Sequence, residues 1–66
     1  MRVWILADDE GNGISIAGVF ATAELALARR PDAKWEILTD ADGDRCYYVG
    51  DPEFPRMSIF AVDVIE

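Results

Sequence analysis

Only one stretch of this chain carries a helical pattern, Gly18 to Pro31, GVFATAELALARRP, and it is too short to persist by itself. Thr22 stands at the N-cap, where its hydroxyl accepts from a backbone N–H two or three residues on, and Glu24 meets the positive end of the helix dipole. Arg29 and Arg30 stand at the negative end, and Pro31 cannot continue the ladder. The spacing predicts a helix from Ala23 to Arg30, roughly two turns. Such a helix must be held by a surface that it covers. Ala23, Ala26 and Leu27, with Leu25 and Ala28, offer a small-residue face that lets it lie close to a sheet.

The rest of the chain reads as strands. Val3 to Ala7 and Ile14 to Phe20 are rich in β-branched and aromatic residues and flank Asp8-Asp9-Glu10-Gly11-Asn12-Gly13, a turn-forming cluster, so they predict a hairpin. Lys34 to Ala41 and Asp44 to Val49 flank Asp42-Gly43, the pair that favours a type I′ turn. That turn sets Asp40 opposite Arg45, Thr39 opposite Cys46, Leu38 opposite Tyr47 and Ile37 opposite Tyr48. Two prolines keep Asp51-Pro52-Glu53-Phe54-Pro55 out of a central strand, and Met57 to Ile65 forms the fifth strand. The expectation is a single α+β domain over residues 1–66 in the order ββαβββ. Strand directions then permit a wholly antiparallel five-stranded sheet, spatial order 2-1-5-4-3, with the helix packed on one face.

The strands carry apolar residues on both parities: Val3 and Ile5 alternate with Trp4 and Leu6, and Phe60 and Val62 stand beside Ile59. One short helix covers one face. The excess must curl inward, pack against a second copy of the chain, or stand as a binding patch. A chain of 66 residues buries only a modest core, which also points to an oligomer or a tight partner. Its net charge of −7 argues against unassisted binding to nucleic acid or an anionic membrane, and makes a basic surface the natural complement. Apolar runs are short and the N-terminus opens in strand-like sequence, so neither a signal peptide nor a membrane span is expected. The lone Cys46 has no intrachain disulfide partner and no His to activate it, which fits a half-buried apolar role in a reducing, cytoplasmic compartment.

Nothing in the sequence has the composition of a catalytic or cofactor site. Asp40-Ala41-Asp42-Gly43-Asp44 begins like a calcium loop, but Arg45 occupies the place of the sharp-turn glycine and Asp51 that of the closing glutamate. Gly11-Asn12-Gly13 leads into a strand rather than a helix N-terminus and follows three carboxylates, which would repel a phosphate. There is no His, and Ser15 and Ser58 have no visible base. The expectation is a protein without enzymatic activity, metal or cofactor.

The acidic residues remain. In the expected topology Asp8, Asp9 and Glu10 share one end of the sheet with Asp51 and Glu53, while Asp40, Asp42 and Asp44 gather at the other with Asp63 and Glu66. Carboxylates on alternate strand positions lie about 6 to 7 Å apart, near the separation of successive phosphates along a nucleic-acid strand. Ordinary solubility explains the same charge without a partner.

In its length, its ββαβββ order around Gly18-Val19-Phe20-Ala21-Thr22-Ala23-Glu24, its acidic turns at Asp8-Asp9-Glu10 and Asp40 to Asp44, and its lack of catalytic chemistry, the whole chain resembles the small acidic anti-CRISPR proteins that phages and mobile elements encode. Those acting on type I-C systems are the nearest in character. The resemblance implies an inhibitor that works in the bacterial cytoplasm, binds a Cas effector subunit, the large subunit of a type I complex above all, and blocks target DNA and PAM recognition. No family motif residue carries over. Charge placement alone therefore nominates the contact residues: Asp8, Asp9, Glu10, Asp51 and Glu53 at one end, Asp40, Asp42 and Asp44 at the other. The alternative is a small structural or adaptor module that homodimerises through its uncovered apolar sheet face.

Overall fold

A computed structural model describes residues 1–9, 13–39, 41 and 43–65. Five strands, β1 (Arg2–Asp9), β2 (Ile14–Phe20), β3 (Glu36–Thr39), β4 (Arg45–Gly50) and β5 (Pro55–Asp63), and one helix, α1 (Ala23–Ala28), follow one another as ββαβββ. The sheet is antiparallel throughout, in the order β2-β1-β5-β4-β3. Its two halves join where β1 meets β5, and the Val64 amide extends that seam by donating to the Met1 carbonyl at 2.7 Å.

Helix α1 begins as its cap dictates. Thr22 is extended (φ −136, ψ 157), and its Oγ1 accepts from the Leu25 amide at 3.2 Å. The helix stops two residues before the expected Arg30. Proline disfavours the helical region for the residue before it, so Arg30 cannot continue the spiral. The amides of Arg29 and Arg30 instead turn back three residues, to the carbonyls of Ala26 and Leu27, both at 3.2 Å. Ala23 and Ala26 are buried and Leu27 half-buried, whereas Leu25 is 54% exposed and Ala28 also faces outward. The packed stripe is thus narrower than the sequence face. Beyond the helix, the Trp35 indole donates to the Arg30 carbonyl at 3.2 Å and ties the connecting loop back over the sheet.

The cross-strand register assigns the faces. Trp4 lies opposite Phe20 and Ala61, Leu6 opposite Gly18 and Ile59, and Ile59 opposite Tyr47. Leu6, Ile59 and Ala26 form the centre of the core, with Trp4, Phe20, Leu27, Trp35 and Tyr47 packed around them. The Trp4 and Tyr47 rings meet tilted, centroids 6.3 Å apart. Between Leu6 and Ala7 the β1–β2 register shifts by one, leaving Ala17 as an extra residue, so that Ile16 lies opposite Ala7 and Ile14 opposite Asp9.

The β3–β4 hairpin departs from expectation. Thr39 pairs with Arg45, Leu38 with Cys46, Ile37 with Tyr47 and Glu36 with Tyr48, a slip of one residue from the register of a two-residue turn. The loop between the paired ends therefore has an odd length. Gly43 takes a positive φ, +84, and Asp42, the other residue of the expected turn, lies outside the described residues, as does Asp40. Strand limits also move: β3 is shorter than Lys34 to Ala41, and Pro55 opens β5 at the one strand position that needs no ladder donor upstream. Gly11 and Asn12 of the first turn, and Glu66, lie outside the described residues.

Candidate functional site

The two ends of the sheet hold the acidic residues, and each has its own electrostatics. At the end where β1 finishes and β5 begins, Asp8 and Asp9 are successive strand residues and so lie on opposite faces. Asp8, opposite Met57, faces the helix side, where its Oδ2 accepts from Arg30 Nη2 at 3.4 Å. Asp8, Asp9, Arg30 and Arg56 all line an open groove of about 300 Å³. The expected row of carboxylates is here interrupted by two arginines, because the loop following α1 and the start of β5 both arrive at this end.

Asp9 also lines a second groove, of about 180 Å³, with Ile14, Glu53, Phe54, Pro55 and Ser58. The β4–β5 turn shapes this wall. Asp51 Oδ1 accepts from the Glu53 amide at 2.9 Å and the Asp51 carbonyl accepts from the Phe54 amide at 3.1 Å, so Asp51 builds the turn on which Glu53 and Phe54 are displayed. The Phe54 ring is 79% exposed. Sequence reasoning passed over it, although a phenylalanine held between Glu53 and Pro55 in a proline-bracketed turn has no strand to bury it, and that was the signal available.

At the opposite end Arg2 gathers two carboxylates. Its Nη1 donates to Asp44 Oδ1 at 2.9 Å and its Nε to Asp63 Oδ1 at 3.2 Å. Asp63, first, and then Asp44 hold the Arg2 guanidinium above its ordinary pKa. All of these groups are solvent-facing, and the pairing shapes local charge more than it stabilises the fold. Asp44 is thus occupied within the chain. Of the remaining candidates, Glu10, Asp40 and Asp42 lie outside the described residues. Among the described residues no cluster of His, Cys, Asp or Glu has the geometry of a metal site, and no helix is long and apolar enough to cross a membrane.

No protein-family model, curated protein or solved structure matches this chain. What remains to be read is the surface itself. Besides the acidic ends it has a second conspicuous feature, the sheet face turned away from α1, which carries Val3, Ile5, Ile16, Val19, Phe60 and Val62. Cys46 lies on this face, half-buried, its thiol donating to the Leu38 carbonyl across the ladder at 3.3 Å.

Proposed function

We propose that this chain is a non-catalytic inhibitor that binds the basic, DNA-recognising surface of a type I CRISPR effector complex, type I-C in particular, and occupies it in place of target DNA. The observation that supports this reading is the sheet end formed by Asp9, Glu53 and Phe54, where carboxylates flank an exposed aromatic ring on a turn braced by Asp51. Among the described residues the salt bridges draw on Asp8, Asp44 and Asp63, and Glu53 takes part in none of them. Its carboxylate is available to an arginine of a partner. An aromatic anchor with charged neighbours is the composition in which protein–protein binding energy concentrates. The net charge of −7 would steer the chain toward a basic groove and speed the encounter.

The test is a mobility-shift titration of target duplex on a purified type I-C effector complex at two salt concentrations. The acidic end predicts loss of the shifted band, partly reversed by salt or by excess duplex. Glu53→Lys combined with Phe54→Ala should weaken inhibition by about tenfold or more, as loss of a hot spot does. A shifted band that persists at saturating protein in both salts overturns the reading.

A further inference from the structure

The face of the sheet opposite α1 is largely apolar and open along β2 and the end of β5, with Val3 and Ile5 half-buried between them. Ile16 is 65% exposed, Val19 59%, and Phe60 and Val62 38% each, although β1 and β5, on which the last two lie or lean, are the central strands. A sheet side with this pattern in an antiparallel fold ordinarily alternates to polar residues. Here it does not. We propose that this face is the interface of a two-fold dimer with a second copy of the chain, centred on Val3, Ile5, Val19, Phe60 and Val62.

Area supports the assignment. A folded monomer of 7.3 kDa exposes about 4,200 Å² by the usual scaling of surface with mass. This chain exposes 4938 Å². The excess, roughly 700 Å², approaches the ~800 Å² that each partner buries in an interface of standard size. Two such sheets stacking about 10 Å apart would bring the surface left exposed per chain to about that of a compact monomer of this mass.

Charge is compatible with a second copy. The register sets Asp9 and Glu36 at the margins of this face, opposite Ile14 and Tyr48 respectively, and leaves its centre neutral. A chain carrying −7 repels its own copy, and a neutral contact surface adds no close like-charge pairs to that repulsion. The core points the same way. Among the described residues the buried hydrophobics are Leu6, Ala7, Ala23, Ala26 and Ile59, of which only two are larger than alanine. A core so small leaves the single chain with little stability of its own, which association through this face would add to. Asp9, Ile14 and Ser58 stand at the margin of this same face, whereas Glu53 and Phe54 project on the β4–β5 turn beyond it, so substitutions at Glu53 and Phe54 test the proposed inhibition and substitutions at Phe60 test the dimer separately.

The experiment is sedimentation velocity on the full chain together with a dilution series followed by amide NMR. At about 100 μM, well above the weakest affinity expected for such an area, the wild type should sediment at twice the chain mass, in low and high salt alike. Phe60→Asp should sediment as a monomer. Because that variant could simply lose its fold, the wild-type dilution series is decisive: the shifting amides should cluster on Val3, Ile5, Val19 and Val62. A monomeric mass across the whole range overturns the proposal. So does a dimer whose shifting amides run along the outer edge of β2 or β3, which would mean edge-to-edge pairing.

Discussion

Ile59 and Phe60 are neighbours in the central strand β5 that face opposite ways, and replacing each with alanine separates the two surfaces of the sheet. Ile59 is completely buried, packed with Ala26 and Leu6, and among the described residues it and Leu6 are the large side chains shut off from solvent. Ile59→Ala removes three buried carbons, about 2.4 kcal/mol at ~0.8 per group, and the cavity left behind raises this to about 3 to 4 kcal/mol. A 66-residue domain has a stability of only about 3 to 10 kcal/mol, so the variant should stand near the edge of folding. Urea unfolding at a fixed chain concentration, followed by the fluorescence of Trp4 and Trp35, which both pack against this core, measures the loss directly. Phe60→Ala should behave differently. Its cost should grow with chain concentration, because the proposed dimer would stabilise the wild type and not the variant. An Ile59→Ala loss within the ±0.5 kcal/mol typical of surface positions would refute the core assigned here.

Two further substitutions test local features. Gly18→Ala would place a Cβ 2.7 Å from the Phe20 ring, which lies over this position, so the ring must swing away from the core; a loss of about 1 to 2 kcal/mol in the same assay is expected, with altered aromatic near-ultraviolet dichroism. Thr22→Ala removes the cap that holds the Leu25 amide and should cost about 1 kcal/mol, whereas Thr22→Ser should restore most of it.

Much of the architecture could be read from residues alone because several signals agreed. Thr22 and Pro31 bracket the helix, the prolines of the β4–β5 turn interrupt a strand pattern, and the direction of each element leaves few antiparallel arrangements, so the order 2-1-5-4-3 was accessible before any coordinates. What escaped was set by backbone detail that side chains specify weakly. Asp42-Gly43 suits a two-residue turn by composition, yet the pairing of Thr39 with Arg45 shows that the strands close at a different length. Topology placed Asp8, Asp9, Asp51 and Glu53 at one end and Asp44 with Asp63 at the other, but the character of these ends was not legible. Arg30 and Arg2 are distant in sequence from Asp8 and Asp63, and only folding brings each pair to within salt-bridge distance. The open apolar face was visible as double parity in β1 and β5. The bulge in β2 was not, and it is what adds Ile14 and Ile16 to that face.

The extra residue at Ala17 also bears on how this chain avoids edge-to-edge stacking. Strand β2 is an outermost strand, and a straight seven-residue edge of unpaired amides and carbonyls is a template on which further chains can stack without limit. By kinking the strand midway, the bulge breaks that template into two short, mismatched pieces. One small side chain out of step thus discourages open-ended fibre growth along the edge, while the face beside it remains free to form a closed pair.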